Sequence, residues 1–307
     1  MKEGVGSLKT ATYFSVFDGH GVNGAKASRF VKQWLPQHLS IAEGIKNGDL
    51  TKGMRDAYVR MNKDMSKQDI DFGLSGTTAC GVIMNQQKML IMNVGDSRAI
   101  VGYIDPAKEV DPDEGVPYRV QELTRDHKPT LPMEQARIEA NGGEVKPIEW
   151  EGVQFGPPRV WIAGEQAPGL CMSRSLGDEV GQEVGVVPDP DTTLKKIEFP
   201  EDEEMHMVIA SDGIWEFIEN EYVIDMVRKA NNDVKEACKD IIYASRETWI
   251  EKEGDCVDDC SAIVIRMYWR RVGKEAEGEK QALLEPSSAY AGSNMEDIAA
   301  AMADVPM

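Results

Sequence analysis

The chain has 307 residues and a hydrophobic content of 41%, enough for one large globular domain with a substantial core. Its formal net charge of −19 disfavours binding to nucleic acid or to an anionic membrane, because like charges repel. No stretch approaches the roughly 18 consecutive apolar residues of a membrane span, and no signal peptide is recognisable. The five cysteines form no CxxC pair, so we expect reduced thiols and an intracellular location, cytoplasmic or nuclear.

Short apolar runs separated by turn residues predict β-strands through much of the chain. The first run, Tyr13 to Phe17, ends directly before Asp18. The next three are separated by Asn85 to Gln87 and by Gly95 to Ser97, which indicates an antiparallel meander. Beyond the first, the predicted strands are Thr77 to Met84, Lys88 to Val94, Arg98 to Ile104, Thr192 to Phe199, Met205 to Ala210 and Ser261 to Trp269.

Apolar residues at a spacing of about 3.6 predict helices between these strands. The predicted helices are Ala25 to Leu39, Leu50 to Met65, Met133 to Asn141, Tyr222 to Lys229 and Val234 to Lys252. Pro36 is expected to limit the C-terminal end of the first helix, because proline lacks the amide hydrogen that a helix needs. Strand groups mixed with helix groups, without strict βαβ alternation, indicate the α+β class with antiparallel sheets.

Two segments fall outside this pattern. Residues Glu144 to Gln166 are rich in Gly and Pro and are predicted to form an irregular, functional loop. After Arg271 the composition shifts to Ala, Glu and Ser with few bulky apolar residues. We therefore predict a catalytic domain over residues 1–271 and an acidic, disordered tail over residues 272–307, with a short helix from Met295 to Ala303.

Acidic residues stand at predicted strand ends in four places. Asp18, Asp96 and Asp212 each follow an apolar run, and the pair Asp258-Asp259 precedes one. If these strands are neighbours in a sandwich, their carboxylates lie close together at one end of it, where they would raise each other's pKa. Divalent cations relieve this repulsion, and a donor set of oxygens alone favours Mg²⁺ or Mn²⁺ over Zn²⁺. The alternative for any single position is an ordinary turn, since Asp and Gly are common turn residues.

His20 follows Asp18 by two residues and is the candidate general acid. Beside a metal-bound substrate its imidazole could protonate a leaving alkoxide, although an isolated histidine next to glycines can also serve a turn. His127 has no acid at a strand end beside it in the sequence, and we interpret it as a structural residue before the helix at Met133.

The chain contains a series of motifs in the order and spacing of the type 2C metal-dependent serine/threonine protein phosphatases, which it resembles over about residues 12–268. The segments that carry the resemblance are Val16 to Gly21, Ser75 to Ala79, Gly95 to Ala99, Asp126 to Pro129, Pro168 to Asp178, Ser211 to Glu216 and Asp258 to Ser261. The sequences of Pro168 to Asp178 and of Val186 to Pro190 are similar to those of plant and protist members.

The resemblance implies a β-sandwich of two antiparallel sheets flanked by helices, in α-β-β-α layers. It implies Mg²⁺ or Mn²⁺ as cofactor, with two ions bridged by Asp18. The Gly19 carbonyl contacts one ion, and Asp212 and Asp258 complete the shell of the other, with Asp259 ranked second. Asp96 matches a ligand of a weaker third ion.

The resemblance also implies the chemistry. A water that bridges the metal ions attacks phosphorus of phosphoserine or phosphothreonine directly, with His20 as the acid. The implied partners are phosphoprotein substrates, with no nucleic acid or membrane, and the expected state is a monomer.

Two departures from the family pattern stand out. Members carry, on a strand before the Asp-Gly-His motif, an Arg that grips phosphate and a Glu-Asp pair that supports metal-bound waters. That element is absent from residues 1–17, so the first strands of the sandwich are expected to be missing and a sheet edge to be unpaired. Glu216 stands where Asp is usual, a minor change because both supply hard oxygen.

These features leave two main hypotheses. The first is a working metal-dependent protein phosphatase, supported by Asp18, His20, Asp212 and Asp258. The second is a catalytically impaired relative that binds phosphoproteins as a scaffold, supported by the absent Arg and Glu-Asp element. A phosphodiesterase or nuclease with the same metals is disfavoured by the acidic charge.

Overall fold

The computed structural model contains two large antiparallel sheets, two small sheets and seven helices among the residues it describes. The described residues are 11–42, 48–85, 87–104, 118–197, 204–231, 233–271 and 280–286. The strands are β1 Thr12–Val16, β2 Gly19–His20, β3 Gly76–Thr77, β4 Ala79–Met84, β5 Lys88–Val94, β6 Arg98–Ile104, β7 Tyr118–Glu122, β8 Gly143–Trp150, β9 Val153–Ile162, β10 Pro168–Leu170, β11 Leu176–Gly177, β12 Asp191–Lys196, β13 Glu204–Ala210, β14 Ala262–Arg271 and β15 Lys280–Pro286. The helices are α1 Gly24–Ile41, α2 Leu50–Met65, α3 Pro132–Ala140, α4 Glu179–Glu183, α5 Asp212–Trp215, α6 Asn220–Lys229 and α7 Val234–Glu253.

The two large sheets form a sandwich. One has the strand order β1-β4-β5-β12 and the other β15-β14-β13-β6-β7. Side chains of a strand point alternately to its two faces, and the cores follow that rule. In β4, Cys80 and Val82 pack in the core between the sheets, whereas Ala79 and Ile83 pack against the helical layer of α1 and α2.

The second sheet follows the same alternation. Met207 and Ile209 of β13 lie in the core between the sheets, and Val208 packs in the outer core formed with α6 and α7. Full burial of each such side chain stabilises the fold by about 1.5–3 kcal/mol. The α-β-β-α layers confirm the predicted α+β sandwich. Among the described residues, β1 lies at the edge of its sheet and pairs only with β4.

The prediction of an irregular loop from Glu144 to Gln166 is wrong. This stretch contains the hairpin of β8 and β9, joined by Glu151 and Gly152, whose φ values are 50° and 79°. Positive φ at both residues is what a two-residue hairpin turn requires. Pro147 falls at the register shift between Lys146 and Ile148, where a missing amide hydrogen is tolerated.

The prediction that Pro36 limits the first helix is also wrong. Helix α1 continues through Pro36 to Ile41. A proline inside a helix costs about 3 kcal/mol, but Leu35 and Leu39 on either side are fully buried in the core against the sheet. Packing of the helix therefore outweighs the local loss of a hydrogen bond.

One strand lies within the predicted tail: β15, Lys280–Pro286, pairs with β14. The predicted helix from Met295 to Ala303 lies outside the described residues, and the domain boundary at 271 stays a prediction. Within the described part of the chain, no helix has the length and apolar character needed to cross a membrane.

Candidate active site

The strand register places the four predicted acids at one end of the sandwich. The residues that pair there lie next to the acids in sequence: Val16 with Cys80, Ala79 with Val94, and Ala210 with both Arg98 and Ala262. Asp18 leaves β1 at this end, and Asp96 lies in the turn between β5 and β6. Asp212 follows β13, and Asp258 lies before β14 at the same end.

Thr78 ties two of the acid-bearing loops together. Its backbone nitrogen donates to the Asp18 carbonyl at 2.8 Å, and the Asp18 nitrogen donates to Thr78 Oγ1 at 3.0 Å. The Thr78 hydroxyl also lies 2.7 Å from Ser97 Oγ, beside Asp96. Thr78 separates β3 from β4, so the single strand predicted over Thr77 to Met84 is divided at the residue that fixes these loops.

Ser211 fixes the other two acids. Its hydroxyl donates to the Asp259 carbonyl at 3.0 Å and accepts from the Ser261 nitrogen at 3.0 Å. The Asp259 nitrogen in turn donates to Asp258 Oδ1 at 2.7 Å. Ser211, which precedes Asp212, is therefore bonded directly to Asp259, which follows Asp258. This contact brings the carboxyl groups of Asp212 and Asp258 to the same end of the sandwich.

The carboxyl groups of Asp18 and Asp212 share a hydrogen bond and perturb each other's protonation. Burial raises the pKa of Asp18, and the nearby charges of Asp258 and Asp96 raise it further. Burial likewise raises the pKa of Asp212, and the charges of Asp96 and Asp18 raise it further. The pKa values of both carboxyl groups are therefore raised by burial and by the neighbouring acids, and a bound cation would relieve this repulsion.

Asp96 is fully buried and carries one oxygen without a partner. Its Oδ2 accepts from Lys128 Nζ at 2.8 Å, while Oδ1 has no hydrogen-bond partner among the described residues. Lys128 Nζ also lies 4.0 Å from Glu216 Oε2. The spacing of Asp126 to Pro129 does not show which loop Lys128 faces, so the sequence predicts no role for this residue.

The carboxylate of Asp178 orients His20. Asp178 ends one of the family motifs, but the motif by itself predicts no role for it. His20 Nε2 lies 2.6 Å from Asp178 Oδ2, and Asp178 is 1% exposed. In the small sheet β11-β3-β2, Gly76 pairs with His20 on one side and with Gly177 on the other. This register places the imidazole beside the carboxylate across the central strand.

The charge of this carboxylate controls the protonation of the imidazole. Burial by itself lowers the pKa of His20, but the hydrogen bond and charge of Asp178, with the charges of Asp96 and Asp18, raise it above the usual value. A raised pKa favours the protonated imidazole, which is the form that a proton donor requires.

His127 is structural, in line with its interpretation from the sequence. It is fully buried, its nitrogen donates to the Gly95 carbonyl at 3.0 Å, and Nδ1 accepts from the Gly95 nitrogen at 3.1 Å. These bonds hold the turn that carries Asp96.

In the described part of the chain, no group of three or more His, Cys, Asp or Glu side chains is arranged to hold a metal ion. The predicted ligands have protein partners instead: Asp258 accepts from a backbone nitrogen, Asp96 from Lys128, and Asp18 is bonded to Asp212. The donor set nevertheless fits a hard divalent cation. It offers only oxygens, two of its carboxyl groups have a raised pKa, and Asp96 Oδ1 is buried without a partner.

Comparisons with known proteins identify a family for this chain. A family model described as Protein phosphatase 2C matches residues 2–249. Probable protein phosphatase 2C 35 of Arabidopsis thaliana is 30% identical over 270 residues, which cover 83% of this chain and 73% of that protein. Probable protein phosphatase 2C 12 of Oryza sativa subsp. japonica is 36% identical over 222 residues, which cover 72% of this chain but only 53% of that protein.

A solved structure has the same fold. The crystal structure of serine-threonine phosphatase 2C from Toxoplasma gondii superposes with a TM-score of 0.63 at 20% sequence identity, covering 83% of this chain and 84% of that chain. At this identity the likeness supports the sandwich architecture alone.

Proposed function

Because the chain belongs to the protein phosphatase 2C family of metal-dependent serine/threonine phosphatases, we propose that it hydrolyses phosphoserine and phosphothreonine in phosphoproteins, with His20 as the general acid. The observation that carries this proposal is the convergence of Asp18, Asp212 and the His20–Asp178 pair at one end of the sandwich. A hydrolase of this kind needs a negative pocket for cations beside a proton donor, and this end of the fold supplies both.

Asp18 would hold both of two divalent ions, Mg²⁺ or Mn²⁺. The Gly19 carbonyl would contact one ion, Asp212 and Asp258 the other, and Asp96 with Asp212 would hold a weaker third ion. When bound, these ions supply Lewis-acid chemistry: they neutralise the carboxylates and activate a water for in-line attack on phosphorus. A Cβ at Gly19 would lie 2.3 Å from the Gly24 carbonyl oxygen, so the loop that follows Asp18 closes only with glycine.

His20 would donate a proton to the serine or threonine oxygen that leaves phosphorus. The leaving alkoxide is a strong base, and protonation of such a group by a positioned acid contributes about 10²–10⁴-fold to a rate. Asp178 would hold the ring in place and keep it protonated, because its Oδ2 bonds Nε2 and its charge raises the pKa of His20. In this scheme no serine or cysteine of the chain acts as a nucleophile.

Phosphate release from a phosphothreonine peptide tests the proposal. The chain should release inorganic phosphate in the presence of Mn²⁺, and Asp212→Asn should reduce the rate at least a hundredfold, because it removes a charged ligand. Glu236→Gln, on the exposed surface of α7, is the matched control and should retain the rate. Equal background rates for the chain and for Asp212→Asn would contradict the phosphatase.

The scaffold alternative makes a different prediction. It is favoured by the Lys128 ammonium group, which lies 2.8 Å from Asp96 Oδ2, where the weaker third ion would bind. An impaired relative would bind the phosphopeptide, measurable by fluorescence anisotropy, without releasing phosphate. Phosphate release with turnover would exclude this alternative.

A further inference from the structure

Lys128 is held rigidly at the candidate site by the residues that precede it. Asp126 accepts two hydrogen bonds from the Arg98 guanidinium, at 3.0 and 2.7 Å. His127 exchanges two hydrogen bonds with Gly95, at 3.0 and 3.1 Å. The segment after β7 is thus fastened to the turn between β5 and β6, and Lys128 is placed over that turn.

The ammonium group of Lys128 lies among the acids that would hold the weaker third ion. Nζ is 2.8 Å from Asp96 Oδ2 and 4.0 Å from Glu216 Oε2, and its charge acts on Asp212. Asp96 is fully buried, and its second oxygen has no hydrogen-bond partner within the described ranges. One oxygen of this buried carboxylate contacts an ammonium group, and the other lacks the partner that a buried polar atom normally has. The second oxygen can therefore accept a further cation.

We propose that Lys128 is a positioning residue that acts as a built-in cation, competing with the third divalent ion for Asp96. The inference rests on the proposed function, since it concerns the metal site of that reaction. The ammonium group neutralises Asp96 when the third ion is absent, and the ion binds more tightly when the ammonium group moves away.

The geometry permits this exchange. The Lys128 side chain is 36% exposed, whereas the Asp96 side chain is 1% exposed. The long aliphatic stem of lysine can therefore carry the charge into solvent by rotation about its side-chain bonds, with the backbone still fastened. Two like charges a few ångströms apart repel strongly where water is excluded, so an ammonium group on Oδ2 weakens the binding of a divalent ion at Oδ1 of Asp96.

Binding of Mn²⁺, followed by electron paramagnetic resonance of the free ion, tests the proposal without any substrate. We expect Lys128→Gln to bind its weakest Mn²⁺ about tenfold or more tightly than the unaltered chain, because a unit charge has been removed next to the ligand. The affinity of the tighter ions should change little. Lys128→Arg retains the charge and should resemble the unaltered chain. Lys128→Met keeps an aliphatic stem without the charge and should bind the weakest ion more tightly, an outcome that a purely structural role for the stem would not give.

Lys239→Gln is the matched control, because Lys239 forms an exposed pair with Glu236 on α7 and should leave all Mn²⁺ binding unchanged. Thermal unfolding establishes that each variant is folded, and Lys128→Met provides a second neutral side chain if Lys128→Gln is not. A weakest-ion affinity in the folded neutral variant that is equal to, or lower than, that of the unaltered chain would overturn the proposal.

Asp18→Asn separates this inference from the proposed function. If Asp18→Asn leaves the tight Mn²⁺ binding unchanged, the metal site of the proposed function is wrong. The role of Lys128 is decided separately, by whether the neutral variant gains affinity.

Discussion

The imidazole of His20 and the carboxylate of Asp178 lie 2.6 Å apart, although 158 positions separate them in the sequence. The contact is fixed by the small sheet in which Gly76 pairs with His20, and by the Asp178 nitrogen, which donates to the Ser75 carbonyl at 2.9 Å. In the proposed reaction this contact determines both the orientation of the acid and the pH range over which it holds its proton.

Asp178→Asn should lower turnover and narrow the pH range of activity. Asp178 raises the pKa of His20, and a general acid works only below its pKa, so activity is lost as pH rises through that value. Without the Asp178 charge the pKa falls, and the loss should begin at lower pH, with kcat reduced roughly tenfold or more. Profiles of kcat against pH with a phosphothreonine peptide measure this. The kcat for p-nitrophenyl phosphate, whose leaving group needs no proton, should change little on this substitution. An equal loss of kcat with both substrates would argue against proton donation by His20.

Gly76→Ala should disturb the same pair by sterics. A Cβ at Gly76 would lie 2.2 Å from Asp178 Oδ2 and 2.7 Å from the Leu176 carbonyl oxygen, so the carboxylate must move away from His20. We expect a fall of roughly tenfold in kcat for the phosphopeptide. Gly73→Ala is the control, because its Cβ would meet its nearest atom, Asp71 Oδ1, at 3.1 Å and lie away from His20. Retained activity in Gly76→Ala would show that the His20–Asp178 contact is dispensable.

Asp212→Asn should stabilise the metal-free protein while abolishing its stabilisation by Mn²⁺. A carboxyl whose pKa is raised by folding binds more protons in the folded state, so it lowers stability as pH rises through the interval between its unfolded and folded pKa values. Asn removes that penalty and the repulsion of Asp18 and Asp96. Mn²⁺ at a hundred times its Kd should stabilise the unaltered chain by about 2.7 kcal/mol. Thermal unfolding at pH 7, with EDTA or with Mn²⁺, measures both effects. A metal-free variant less stable than the unaltered chain would contradict the repulsion.

Glu134→Gln should weaken the fold most at neutral pH. Burial alone would raise the pKa of Glu134, but hydrogen bonds from Arg174, Arg137 and Ser173 hold it well below the usual range. A depressed pKa gives stability that is present above the unfolded value of about 4.3 and is lost as pH falls towards the folded one. Breaking this buried network should cost about 3 kcal/mol at pH 7 and less at pH 4. Urea unfolding at the two pH values measures the cost, with exposed Glu139→Gln on the same helix as control; a pH-independent cost would point to packing instead.

Trp150→Ala should affect protein substrates selectively. The β8–β9 hairpin carries exposed apolar side chains near its tip, with Trp150 opposite Val153 and Ile148 opposite Phe155. Trp150 is 66% exposed, so its removal should cost little stability. If the hairpin borders the substrate groove, the KM for a phosphoprotein should rise severalfold while that for p-nitrophenyl phosphate stays the same. Unchanged KM values for both substrates would place the groove elsewhere.

Local patterns were sufficient for most of the elements and for the position of the acids. The apolar runs before Asp18, Asp96 and Asp212 predict strands correctly, because alternation and turn residues are local signals. They fail where packing outweighs local preference: α1 runs through Pro36, and the Gly- and Pro-rich stretch after Gly143 forms a hairpin.

The sequence by itself determined the chemistry available to this protein: the strand-end carboxylates, the histidine beside one of them, and the family to which these motifs belong. The tertiary structure decided which groups act on one another. That Asp178 faces His20, that Lys128 faces Asp96, and that Asp18 lies beside Asp212 depend on strand register and loop contacts. Such contacts join residues far apart in the chain, and pKa values follow distance and burial in space, which no local pattern encodes.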